Sequence, residues 1–283
     1  MNKPELYHKS HGVTKRDVGE LLTQFASKLQ WRPEGGDAVL EIGCGPGDIS
    51  MKYIYPLMRE NFGKLIFSDI SWDMMNFFRE NYEIPSKCDF RQLDIAGESF
   101  ELPDDMVGQF DHVISSLVLH WVPDNRTALA NMYKLLRSEG GDCLLIFFGY
   151  NSIFEANNLM SSNPKWSQYI QNANRFVAPL HYSTDPKGQF QQMMEAAGFC
   201  NISIELKAGV YNYGSFENFK ENITPVCGVL DFITKSRQLE FFEDYFKAMA
   251  ETAAKKQGLP LKDAMYTMVL DTIVVYGQKK SSL

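Results

Sequence analysis

The feature that most restricts the fold is a short apolar run, Ala38-Val39-Leu40-Glu41-Ile42, that ends abruptly in Gly43-Cys44-Gly45-Pro46-Gly47. A run of this kind reads as a strand buried on both faces, and its glycines let the backbone turn and approach a ligand closely. A helical stretch follows it, and the alternation then continues. Strands are expected at 64–68, 90–93, 112–116 and 142–149, with helices around 73–81 and 126–136. A β-α-β-α series with short joints implies an α/β fold, a parallel sheet covered by helices on both faces through right-handed crossovers.

Upstream, Val18, Leu21, Leu22, Phe25, Ala26 and Leu29 trace one face of a helix over 14–30, which Pro33-Glu34-Gly35-Gly36 ends. After Gly149 the rhythm changes to a polar stretch over 151–187, then a helix ending near Gly198 and strands at 202–211 and 265–276. Between those strands, Phe242, Tyr245, Phe246, Met249 and Ala253 form an apolar helical stripe. The whole of 1–283 reads as one domain, with a ligand-binding core over about 32–150 and cap segments over about 151–200 and 212–262.

Composition narrows the partners. With 28 Lys plus Arg against 35 Asp plus Glu, the formal charge of −7 disfavours nucleic acid and anionic membranes. The five cysteines form no C-x-x-C pair and no cluster with histidine, so neither a disulfide framework nor a metal site is expected. Stable membrane insertion is not expected, because no stretch of the first thirty residues approaches a spanning helix or leader core, and the default location is the cytoplasm. A homodimer is compatible with the sequence.

Three consecutive strand ends carry groups suited to one nucleoside. In the dinucleotide fingerprint G-x-G-x-x-G a third glycine would fall at Asp48, whereas here it comes one residue early, at Gly47. That favours a different adenosyl ligand. Asp69, 22 residues after Gly47, ends the second strand and either holds ribose hydroxyls or caps the turn at Ile70-Ser71. Asp94-Ile95 ends the third strand, where the carboxylate and the Ile95 N–H either meet an adenine or close a surface turn. Glu41 either attracts a ligand ammonium or faces the backbone amides of the loop. The fourth strand delivers Ser115 to the same edge, followed by His120 and Trp121. Either ring is a core residue or a functional one, and the indole N–H, which donates and cannot accept, suits an acceptor already ionised.

The loop Glu41-Ile42-Gly43-Cys44-Gly45-Pro46-Gly47, with Asp69 and Asp94-Ile95, resembles the class I S-adenosylmethionine-dependent methyltransferases. That resemblance implies a Rossmann-like sheet of seven strands, the last pair in a hairpin, with S-adenosyl-L-methionine held by Glu41, Gly43, Gly45, Gly47, Asp69, Ile70, Asp94, Ile95 and Ser115. Leu6-Tyr7, Lys15-Arg16-Asp17, Trp31, Phe110-Asp111-His112-Val113, Leu119-His120-Trp121, Gly140-Gly141-Asp142-Cys143-Leu144-Leu145, Lys165-Trp166 and Pro179-Leu180-His181-Tyr182 are similar to the insect juvenile hormone acid O-methyltransferases, over nearly the whole chain. That family methylates the carboxylate of farnesoic or juvenile hormone acid, which it holds with a tryptophan matching Trp121 and a glutamine whose place here is taken by Thr14. Its usual aromatic pair is replaced by Ser116 and Leu117.

The resemblance thus implies a small apolar carboxylic acid oriented by Trp121, Thr14 and His120 in an aromatic cap, for which Phe154, Trp166, Phe176, Phe216, Phe219 and Phe232 are candidates, about half of them expected in ordinary core. Methylation of an amine or phenol, with His120 as base, and a catalytically weak ligand-binding paralogue are the competing readings.

Overall fold

Strand β1 (Ala38–Ile42) is buried along its whole length and pairs in parallel with β2 (Lys64–Asp69) on one side and β4 (His112–Ser116) on the other. In this computed structural model, which describes residues 3–10, 12–97, 101–170 and 176–281, the sheet has seven strands in the order β3-β2-β1-β4-β5-β7-β6. Here β3 is Cys88–Gln92, β5 Gly141–Asn151, β6 Cys200–Asn212 and β7 Thr267–Lys279. The first five strands are mutually parallel, and β7 runs antiparallel between β5 and β6. β6 and β7 pair along most of their length, yet they are joined by a helical insertion rather than a tight turn.

The alternation of side chains along β1 builds two cores. Val39 packs with Leu65, Phe67, Ile114 and Leu144 beneath helix α2 (Gly12–Phe25), through Val18, Leu22 and Phe25. Leu40 and Ile42 point the other way, with Val113 and Leu145, against α4 (Asn125–Leu135) and α6 (Pro186–Ala197). Strand order reverses beside β1, between β2 and β4, and in an open α/β sheet that reversal leaves a crevice at the carboxyl ends of the strands.

The expected polar stretch over 151–187 is corrected in part: a helix, α5 (Ser152–Ser162), continues directly from β5. Asn151 caps it, accepting from the Ile153 amide at 2.9 Å. Its buried face carries Asn157 among Ile153, Phe154, Ala156 and Met160. Tyr245 satisfies that asparagine by donating to its Oδ1 at 2.8 Å, so a polar letter in the stripe hid the helical period. Residues 171–175 of the same stretch lie outside the described residues. Helices α7 (Phe216–Ile223) and α8 (Gln238–Gln257) fall between β6 and β7, and the expected stripe on α8 is buried throughout. No helix among the described residues is long and apolar enough to cross a membrane.

Candidate active site

A cleft of about 910 Å³ opens where β1, β2, β3 and β4 end. Its floor is the glycine loop, tied to β2 by the Gly43 and Cys44 amides, which donate to Ser68 O at 2.7 and 2.9 Å. Gly43 has φ +77°, and a Cβ there would lie 2.1 Å from Val118 Cγ2, so no other residue lets the β4 loop close down on it. At Gly45 a Cβ would meet nothing within 4 Å, which leaves open space above the loop for a ligand. Gly47 does not line the cleft; its backbone packs against the Phe78 ring instead.

Glu41 is strongly perturbed by its burial at this edge. Its Oε1 accepts from Ser50 Oγ at 2.8 Å, while Oε2 is buried without a hydrogen-bond partner among the described residues. Burial pushes its pKa up to about 8, with the Asp69 and Asp48 charges acting in the same direction against the Ser50 bond. The side chain lines the cleft, so an ammonium there would supply the missing partner and draw the proton off. With a pKa of about 8 Glu41 is mostly protonated at neutral pH, and a cation beside it favours the ionised form. Cofactor binding at pH 7 is therefore expected to release about one proton and to strengthen from pH 6 to 8. Calorimetry in buffers of different ionisation enthalpy measures that proton, and Glu41→Gln should abolish its release.

Asp69 caps the turn that follows β2 and also reaches the cleft. Its oxygens accept from the Gly45 and Ser71 amides, each at 2.9 Å, and the carboxylate also lines the cleft. Burial raises its pKa, and those two amides oppose the rise. Ile70, 52% exposed, offers a free apolar face beside it. Asp94 closes a turn by accepting from the Ala96 amide at 3.1 Å, and both Asp94 and Ile95 line the cleft. Ser115 does not, because its hydroxyl is turned into the sheet and donates to Ile42 O at 3.0 Å. The next residues reach the cleft in its place. Leu117 holds φ +60°, a conformation costly for a side chain of its size, and swings the strand end over so that Ser116, Leu117 and Val118 form the wall.

Trp121 stands on the acceptor side of that wall, with its ring edge-to-face with Phe154 at 5.5 Å. Its Nε1–H has no hydrogen-bond partner among the described residues. His120 is placed differently from the expectation. It is buried at 4% exposure behind the tryptophan, accepts from the Phe148 amide at 3.3 Å, and does not line the cleft. Burial pulls its pKa down to about 3, so it stays neutral and supports the indole from behind. Thr14 is also buried, near the start of α2, and is not among the lining residues. The geometry therefore brings Trp121 together with Glu41, Gly43, Gly45, Asp69, Ile70, Asp94 and Ile95, and leaves Thr14, His120, Gly47 and Ser115 behind the surface.

Sequence reasoning passed over the opposite wall. Tyr7, from the short helix α1 (Pro4–Lys9), lines the cleft, as do residues 224–228 and Asp231. Lys3 and Asp231 form an ion pair where α1 meets this segment. Of the six aromatic candidates for the cap, Phe176 and Phe232 line the cleft, whereas Phe154, Trp166 and Phe219 are core and Phe216 packs on Phe246. Only the resemblance had pointed to Tyr7, and only the position of 224–231 after α7 marks that segment.

Comparison with known proteins agrees with this geometry. A family profile described as a methyltransferase domain matches residues 40–142, from β1 to the start of β5. The chain is 34% identical over 279 residues to juvenile hormone acid O-methyltransferase of Drosophila melanogaster, covering 99% of this chain and 93% of that one. It is 34% identical over 251 residues to the Bombyx mori enzyme of the same name, covering 89% and 87%. A solved structure of Haemonchus contortus phosphoethanolamine N-methyltransferase 2 with S-adenosyl-L-methionine shares the fold, with a TM-score of 0.52 at 15% identity over 92% of this chain and 52% of that one. The chain thus belongs to the juvenile hormone acid O-methyltransferase family of S-adenosylmethionine-dependent methyltransferases.

Proposed function

We propose that this enzyme methylates the carboxylate of a long apolar acid, of the kind represented by farnesoic and juvenile hormone acids. The observation that carries the acceptor class is Trp121, a lining residue whose N–H has no hydrogen-bond partner among the described residues, in a cleft whose described lining includes no histidine. A carboxylic acid has a pKa of roughly 4 to 5 and is ionised at neutral pH, so it needs a donor to orient it and no base.

The residues present fit the cofactor. The buried, unpartnered Glu41 oxygen would hold its ammonium, Asp69 its ribose, and Asp94 with the Ile95 amide its adenine, over the open space at Gly45. When bound, S-adenosylmethionine supplies a sulfonium-activated methyl group. Asp48, Asp69, Asp73 and Asp94 make that half of the cleft acidic, which suits a cationic ligand and discourages an acid from entering it. Trp121 would fix one carboxylate oxygen, leaving the other in line with the methyl carbon. Leu117, Val122, Phe176, Val226 and Phe232 supply an apolar surface for the chain of the acid and exclude water from it. In this reading residues 32–150 carry the cofactor half, and 224–232, within the 212–262 segment, close the acceptor half. The free thiols of all five cysteines and the acidic charge support a reducing, cytoplasmic setting.

Incubation with methyl-labelled cofactor and a panel of farnesoid acids, fatty acids, amines and phenols tests the proposal. The expected product is a base-labile methyl ester of a farnesoid acid. Transfer to amines or phenols alone, or cofactor binding without turnover of any acid, would overturn it.

A further inference from the structure

The side chain of Lys15 is nearly buried, 8% exposed, and lies beside the cofactor cleft without lining it. Its ammonium has three N–H donors and meets three acceptors: Asp48 Oδ2 at 2.6 Å, Tyr7 O at 2.7 Å and His8 O at 3.2 Å. Asp48 closes the glycine loop, and Tyr7 and His8 supply carbonyls of the last turn of α1, where the Ser10 amide and hydroxyl also donate to Tyr7 O at 3.3 and 3.2 Å. We propose that Lys15 is a positioning residue that couples the glycine loop to α1, so that cofactor in the cleft and closure of the amino-terminal strap carrying Tyr7 stabilise one another.

Three further observations support the coupling. A six-residue helix does not hold its shape in water by itself, so α1 depends on what grips it. The grip includes Lys15, the His8 ring against Phe77 of α3 (Trp72–Asn81) and against Tyr82 at its carboxyl end, and the Lys3–Asp231 pair. Lys15 itself is held in place, because α2 lies flush on the helix that follows the glycine loop: at Gly19 a Cβ would fall 2.4 Å from the Tyr53 ring. Finally, Asp48 and Tyr7 both line the cleft, so a ligand there contacts the two parts that the ammonium joins. Burial lowers the Lys15 pKa, and the Asp48 charge and hydrogen bond oppose the drop. A glycine at position 48, as in the dinucleotide fingerprint, would offer no such anchor.

The inference rests on the cofactor assignment and not on the acceptor, so it is tested by binding and exchange rather than by turnover. In the parent, saturating S-adenosylhomocysteine is expected to slow hydrogen exchange across residues 4–16. In Lys15→Met, which keeps the aliphatic stem, that slowing should disappear and the calorimetric Kd for S-adenosylhomocysteine should rise about 5- to 10-fold, the size of an ordinary coupling between sites. No slowing in the parent overturns the proposal whatever the variant does. A Lys15→Met protein with parental Kd and parental slowing, even with a lower melting temperature, also overturns it, because Lys15 would then only stabilise the fold.

Discussion

Trp121→Phe is expected to lower kcat/KM on the best acid substrate by about 10- to 100-fold, the equivalent of one hydrogen bond to a charged group. The ring of Trp121 is edge-to-face with Phe154 and lies 5.0 Å from His120, and a phenyl ring keeps most of that packing. What it removes is the indole N–H, which has no hydrogen-bond partner among the described residues. Thr14, which takes the place of the family's second donor, is buried away from the lining, so the loss falls on a carboxylate with little else to orient it. An interaction that aligns the acid before and during transfer should show in kcat as well as KM, whereas lost packing would raise KM and lower the melting temperature together. The comparison is steady-state kinetics of parent and variant on one acid, with cofactor affinity and thermal melting as controls. A folded Trp121→Phe protein as active as the parent would remove the indole N–H from the mechanism.

The reach of the sequence ends where positions stop being determined by a regular element. Glu41, Gly43, Asp69, Asp94 and Ile95, read from the ends of β1, β2 and β3, all lie in the cleft, because sheet topology carries them there. Ser115 failed by one residue: alternation along β4 turns it into the sheet, and the left-handed turn at Leu117 brings its successors to the surface. Gly47 failed because the glycine pattern serves packing as well as ligands, and at that position Phe78 claims the space. Thr14, His120 and Tyr7 lie on pieces whose placement depends on tertiary packing, and no hydrophobic period encodes which side of a short helix faces a cleft. The same limit hid α5, where buried Asn157 is satisfied by Tyr245 from a helix far along the chain.

His112→Asn is expected to cost about 3 to 5 kcal/mol of folding stability at pH 6, the usual loss when one partner is removed from a buried ion pair. His112 opens β4 at the edge of the sheet away from the cleft, at 1% exposure. Its Nδ1 meets Asp142 at 2.6 Å and its Nε2 meets Asp37 at 3.1 Å, with the Trp31 ring 4.4 Å away. Asp142 also accepts from the Gln30 amide at 2.7 Å, and Asp37 from the Arg32 amide at 3.0 Å, so the imidazole lies at the centre of a knot that fastens 30–37 to β1, β4 and β5. Burial alone would lower its pKa, but the two carboxylates outweigh burial and raise it. A group whose folded pKa is raised contributes stability that is fully present below its unfolded value, about 6.5, and fades as pH rises through the folded one. The gap between parent and His112→Asn, measured by urea unfolding from pH 6 to 9, should therefore be widest at the acidic end and narrow steadily with pH. Cofactor affinity should not change, since nothing in the knot lines the cleft. A gap that stays level across that range would mean the imidazole is neutral in the folded protein and that its hydrogen bonds, not its charge, hold the knot.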